Sequence, residues 1–378
     1  MKVFSSESVT EGHPDKVADY IADSILDEIL KVDPKARVAC EVSVTTKFCF
    51  IYGEVKSHAR VNYKEIAKEA IRKIGYNDDD LGYDADTVEF LVKIDEQSSD
   101  ISMGVDGNVE QGAGDQGIIF GYANNETDVQ MPLAITLANQ LSQRLAFVRK
   151  QQILPNLGPD GKTQVTVEYN DNGSIKRIDT VVLSTQHREF YDIEDVRRDV
   201  KEHVIDFIIP QHLVDKNTRY FINPTGRFVV GGPHGDAGLT GRKLIVDTYG
   251  GYAKHGGGAM SGKDSSKVDR SAAYMARYLA KNVVASGIAS ECEIQLAYAI
   301  GVADPVSVSV NTFGTSKVCD YEITETIIEN FNLRPRGIID KLGLEKPVYQ
   351  NTAAYGHFGR NEFSWEQTDS VNIFKNLL

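Results

Sequence analysis

GHPDKVADYIADSILDEIL, residues 12–30, is the first stretch of the chain with a clear period. Val17, Ile21, Ile25 and Ile29 form one i, i+4 row and Ala18, Ala22, Leu26 and Leu30 the next, which predicts a helix opening near Asp15. Pro14 suits its first turn, where a missing N–H is no loss. Two alternating runs follow, VACEVSVT (38–45) and FCFIYGEV (48–55), and read as a hairpin that carries Glu41 and Glu54 on its strands. A second helix through Ile66, Ala67, Ala70, Ile71 and Ile74 stops at Gly75, and a strand follows over 87–94.

That order of helix, hairpin and helix recurs twice. In the middle of the chain it is a helix over 132–150, strands over 163–169 and 174–185 joined by an Asp-Asn-Gly turn, and a helix over 193–209. In the last third it is a helix over 270–285, strands over 291–300 and 306–312, and a helix over 321–331. A unit of about 115 to 140 residues is too long for a solenoid repeat. The pattern predicts an α+β protein of three similar two-layer domains, each a sheet with helices on one face. Boundaries are expected at 1–100, 112–229 and 230–378, and a polar Gly- and Ser-rich segment (96–117) is either a linker or a lid.

The stretch 231–267, GGPHGDAGLTGRKLIVDTYGGYAKHGGGAMSGKDSSK, holds 11 of the 32 glycines. Glycine at that density forms no core, so it marks either a solvated surface loop or close backbone approach to a ligand. From Arg227 to Lys281 there are nine Lys or Arg against four Asp, a local excess of five positive charges in a chain of net charge −13. A basic island with accessible amides suits a small polyanion such as a nucleotide phosphate. At the start of the first helix, Asp15 either complements the helix dipole or joins His13 in holding a phosphate and a metal ion. Together these residues point to nucleotide chemistry with magnesium.

Other classes are excluded or demoted. The acidic balance argues against nucleic acid as a main partner. No 18 apolar residues run together and no leader pattern opens the chain, so a cytoplasmic protein with no membrane partner is expected. Cys40, Cys49, Cys292 and Cys319 form no CxxC pair and read as small core residues in a reducing compartment. GGAMSGK (257–263) spells a phosphate loop, but Asp264 stands where Ser or Thr would hold magnesium. GAGDQG (112–117) spells a dinucleotide fingerprint, but a strand-like IIFGYA follows it in place of a helix.

The blocks GHPDK, GAGDQG, FINPTGRFVVGGPHGDAGLTGRK, VDTYGG, HGGGAMSGKD and TAAYGHFGR, in this order, resemble those of the S-adenosylmethionine synthetase (methionine adenosyltransferase) family along essentially the whole chain. The resemblance implies three intertwined domains and synthesis of S-adenosylmethionine from ATP and methionine, with release of phosphate and pyrophosphate. It further implies two Mg²⁺ per site and one K⁺, and a homodimer or dimer of dimers (a homotetramer) with active sites at the subunit interface. Site residues follow by resemblance only. His13, Asp160, Gly161, Lys162, Arg227, Phe228, Arg242, Lys243, Ala259 and Lys263 match the ATP positions, and Asp236 is shared by ATP and methionine. Glu54, Gln97 and Lys267 match the methionine positions, Asp15 and Asp269 the Mg²⁺ ligands, and Glu41 the K⁺ ligand. His13, Lys263, Arg242 and Asp115 are the expected catalytic set, and 97–107 the gating loop. The rival readings are a nucleotide-sensing module without catalysis and an ATP-dependent phosphotransferase.

Overall fold

The structure is a computed structural model that describes residues 2–96 and 112–378, so Gln97 and the expected gating loop (97–107) lie outside the described residues. Its main elements in chain order are β1 (Lys2–Val9), α1 (Pro14–Val32), β2 (Arg37–Thr45), β3 (Phe48–Lys56), α2 (Tyr63–Ile74), β4 (Glu89–Asp95) and β5 (Gly117–Asn124). Then come α3 (Leu133–Lys150), β6 (Leu157–Tyr169), β7 (Ile175–His187), α4 (Ile193–Val200), β8 (Arg219–Ile222) and β9 (Gly238–Leu239). The chain ends with α5 (Val268–Ala285), β10 (Glu291–Tyr298), β11 (Ser307–Asn311), α6 (Asp320–Asn330) and α7 (Pro335–Leu342).

Three main sheets result, each carrying helices, as the α+β pattern predicts. The strand orders are β1-β6-β7-β8, β9-β2-β3-β4 and β11-β10-β5. Each sheet borrows a strand from a distant part of the chain. β1, unannounced by the period, pairs antiparallel with β6 from Lys2↔Tyr169 to Val9↔Lys162. β9 pairs with β2 through Gly238↔Val44, and β5 pairs with β10 from Glu291↔Asn124 to Tyr298↔Gly117. Consequently the sheets of the first and last thirds share one apolar core, while the middle sheet keeps its own with α3 and α4.

The predicted rows of α1 are buried, but so is its polar side: Asp15, Lys16, Asp19, Asp23 and Asp27 all lie inside. Four aspartates at i, i+4 spacing form a ladder, and each rung accepts a backbone N–H from another loop. Leu239 N donates to Asp15 Oδ1 (3.0 Å), Gly241 N to Asp19 Oδ1 (2.9 Å) and Gly262 N to Asp23 Oδ1 (2.8 Å). Tyr349 N and Gln350 N donate to the two oxygens of Asp27 (3.0 and 2.8 Å). α1 is therefore a post to which three distant segments are hydrogen-bonded, an arrangement in which each of its four buried aspartates accepts a backbone N–H.

Three expectations need correction. The helix over 193–209 is interrupted by a wide π turn, Lys201–Ile205. The extra residue resets the buried row from Val196, Val200 and Val204 to Ile205 and Ile209, which keeps all five in the core. Much of the basic island does not face a ligand. Arg270 forks onto Asp23 (2.7 and 2.9 Å), Arg277 and Lys281 share Glu366, and Lys254 pairs with Glu293 (2.7 Å). A count along the chain cannot see carboxylates delivered from almost 250 positions away. Finally, Cys40, Cys49 and Cys292 are buried, but Cys319 is exposed at the start of α6, where Glu322 accepts from its N–H (3.0 Å).

Candidate active site

The first turn of α1 gathers residues that are far apart in sequence. His13 caps the helix: Asp15 N donates to its Nδ1 (3.2 Å). Since Nδ1 accepts, the neutral ring carries its proton on Nε2. Burial, helped by the neighbouring Lys243 ammonium, pushes the His13 pKa down to about 3, so the ring is neutral at pH 7. Asp15 Oδ2 pairs with Lys243 Nζ (2.5 Å), and Arg242 Nε stands 3.8 Å from Oδ1. Burial acts to raise the Asp15 pKa, but hydrogen bonds from Lys243 and Leu239 outweigh it and hold the carboxyl below its usual range. The antiparallel pairing of β1 with β6 places Lys162 opposite Val9, close enough for its charge to act on both His13 and Asp160.

Asp160 is buried at the start of this wall. Its Oδ2 accepts from Gly232 N (2.8 Å), while Oδ1 has no partner among the described residues. Burial raises its pKa to about 6. An orphaned buried acceptor is costly and suits a donor brought by a ligand. Gly161 bonds back to Thr10 N (3.0 Å), which ties this corner to the start of α1. Asp236 is exposed nearby, and its charge is felt at Asp160. Phe228 and Arg227 extend the same edge: Phe228 N donates to His187 Nε2 (3.1 Å), and Arg227 pairs on the surface with Glu189 (2.6 Å).

A second group lies on the β9-β2-β3-β4 sheet and the loop laid along it. Cys40 N donates to Gly262 O (2.9 Å), and Lys263 bridges Ala39 of β2. Gly262 has φ +78°, and a Cβ there would stand 1.9 Å from Cys40 O, so the loop closes on the strand only with glycine. Lys263 Nζ pairs with Asp269 Oδ2 (2.7 Å), and Lys267 pairs with Asp264. Burial pushes the Glu41 pKa up to about 7, against the pull of Lys263 and with help from Asp19 and Glu54. Glu54 is exposed on the neighbouring strand, where it lies opposite Ala39. Ala259 packs over Gly241, so the second group meets the Arg242 segment of the first. Asp115 is exposed, its carboxylate accepting from Gln116 N (2.8 Å).

Sequence reasoning missed the residues that hold the site in place. Lys16 is fully buried between Asp19 (2.9 Å) and Asp247, and the ladder of Asp19, Asp23 and Asp27 secures the 239–241, 262 and 349–350 segments. The available signal was the spacing of four between aspartates on a helix whose other positions are mostly apolar.

Among the described residues no group of three His, Cys, Asp or Glu could hold a metal ion. That excludes an all-protein cage there, but it fits Mg²⁺, which commonly sits on one or two carboxylates and completes its shell with phosphate and water. Asp15 and Asp269 fit that role, each now neutralised by a lysine.

Comparison with known proteins agrees along the whole length. The N-terminal, central and C-terminal domain profiles of S-adenosylmethionine synthetase match residues 1–99, 110–228 and 230–367. S-adenosylmethionine synthases from two strains of Staphylococcus epidermidis are each 56% identical over 391 aligned positions, covering 100% of this chain and 98% of the relative. With three domain profiles in order and a single alignment running end to end, the chain belongs to the S-adenosylmethionine synthetase family.

Proposed function

We propose that, in the S-adenosylmethionine synthesis from ATP and methionine that its family membership gives it, this chain holds the triphosphate at the first turn of α1. The observation that carries this reading is the convergence of His13, Lys162, Arg242 and Lys243 on one helix N-terminus. The methionine sulfur attacks the ATP 5′ carbon and the triphosphate leaves. No proton moves in that step, so no general base is required. The leaving group carries about four negative charges, and each fixed cation at 4 Å supplies about 4 kcal/mol of gross attraction at an effective dielectric of 20.

His13 Nε2–H donates to a phosphate oxygen without adding charge. Lys243 and Lys263 exchange their carboxylate partners for phosphate, which frees Asp15 and Asp269 to take Mg²⁺. Bound Mg²⁺ supplies further neutralisation of the triphosphate. Arg227, Phe228 and Ala259 bound the nucleotide, Asp115 and Arg242 act on the reacting end, and Asp160 Oδ1 accepts from a nucleotide hydroxyl. Glu54, Gln97, Asp236 and Lys267 take methionine, and Glu41 takes K⁺.

The subunits assemble as a dimer or a dimer of dimers with the site between them. Supporting this, Glu41 and Glu54 share the outer face of their sheet with Phe50 and Tyr52, whose rings stack at 4.6 Å, while Ile118 is exposed on β5. The family generally uses Mg²⁺ and K⁺, and none of the described helices is long and apolar enough to cross a membrane. Water then cleaves the displaced triphosphate to phosphate and pyrophosphate, so incubation with ATP, methionine, Mg²⁺ and K⁺ should yield the sulfonium product by mass spectrometry, with methionine-dependent phosphate release. ATP binding without that release would leave a sensor, and a phosphorylated acceptor would indicate a phosphotransferase.

A further inference from the structure

A cavity of about 280 Å³ lies outside the site described above, where the ends of α2 and α3 meet the chain entering β6 and leaving β7. Its wall carries Arg72, Lys73, Arg149, Lys150 and Arg188, and among the described residues no carboxylate lines it. Last-turn cations on α2 and α3 are expected for helix dipoles, and Arg149 serves in that way by donating to Ile74 O (2.7 Å). Arg188 belongs to neither helix, yet it faces the same space. Lys73 is exposed and has no carboxylate partner among the described residues.

The cations of this wall are anchored by carboxylates that are not among its lining residues. Glu11 holds Arg149 (3.3 Å) and Lys150, Asp86 holds Arg72 (2.5 Å) with Glu69 at 4.0 Å, and Asp78 holds Arg188 (2.6 Å) with Asp80 at 3.8 Å. A guanidinium has five N–H donors, so these contacts fix its plane and leave donors for a ligand. The backbone also makes room: Gly75 has φ +112°, and a Cβ there would stand 2.2 Å from Arg149 Nη1.

We propose that this cavity is a second polyanion site, distinct from the triphosphate cluster at α1, and that it takes free inorganic diphosphate. Planar forks anchored by carboxylates, and one ammonium with no carboxylate partner among the described residues, match a compact ligand with several phosphate oxygens. The assignment rests on the cavity alone and stands whether or not the reaction proposed above is correct.

The test is calorimetric titration of the full chain with inorganic pyrophosphate in the presence of a chelator. The doubly substituted Lys73→Gln, Arg188→Gln protein should lose a binding component, with affinity falling roughly tenfold or more, whereas Lys243→Ala should retain that component. Thermal melts without ligand check folding. Should the double variant be unstable, Lys73→Gln alone, at an exposed and unpaired position, carries the comparison. An isotherm unchanged in the Lys73 and Arg188 variants would overturn the site, as would equal loss in Lys243→Ala. ADP provides a second arm. ADP binding no tighter than pyrophosphate supports the free anion, and ADP binding about tenfold tighter would replace the assignment with a nucleotide.

Discussion

Lys263 and Asp15 mark the two ends of the proposed chemistry, and each has a distinct expected loss. Lys263→Ala removes a cation from the leaving triphosphate, so the rate of product formation should fall by roughly two orders of magnitude or more. Near-normal turnover at saturating ATP would reject that role. Asp15→Asn should weaken the Mg²⁺ titration and activity together, and an unshifted titration would argue against it. Asp27 offers a test of stability free of catalysis. Burial raises its pKa from 3.8 to about 6, against two backbone hydrogen bonds that lower it. Between those values the native state binds more protons than the unfolded chain, so stability falls as pH rises from about 4 to 6. The gap corresponds to at most about 3 kcal/mol. In Asp27→Asn that portion of the pH dependence should vanish from urea-unfolding curves, and parallel pH profiles would show that Asp27 does not titrate as described.

The elements are held by a few buried charge clusters more than by their own propensities. α5 packs against the C-terminal segment through Glu366, which receives Arg277 at 2.9 Å and Lys281 at 2.8 Å while Trp365 stacks on Tyr274 at 3.7 Å. Glu366→Ala leaves two buried cations without a counter-charge, and destabilisation of about 3–5 kcal/mol is expected from chemical denaturation. Glu366→Gln, which retains an acceptor, should cost less. Gly262→Ala places a side chain where the loop meets β2. It should detach Lys263 from its bridge to Ala39, with a loss of activity larger than the loss of stability.

On the scale of the whole chain, three sheets exchange strands, and each presents apolar side chains outward, Val3 and Phe221 on the sheet of β1 and β8 among them. Ile118 and Leu91 are exposed on β5 and β4. If the site completes itself between subunits, Ile118→Glu should convert a dimer to a monomer in analytical ultracentrifugation and abolish turnover together. An active monomer would place the whole site within one chain.

Much of this was legible before any coordinates. Helix and strand periods located α1, β2, β3, α2, α3, α5, β10 and α6, because the apolar residues of each recur at a spacing of two or about 3.6, even where, as in α1 and α5, the polar side is buried as well. Ordered motif blocks carried the family, and the site residues proposed above follow from the same blocks. The resemblance implied intertwined domains, but which strands cross was not legible, since β1, β5 and β9 find their partners through backbone hydrogen bonds that leave no mark on composition. Nor was the division of cations: Lys243 and Lys263 pair with Asp15 and Asp269, while Arg270, Arg277 and Lys281 neutralise Asp23 and Glu366. Charge sign is a property of the residue, and sequence alone supplied it. Which opposite charge lies within 3 Å is a property of the folded path, and only the tertiary structure decided it.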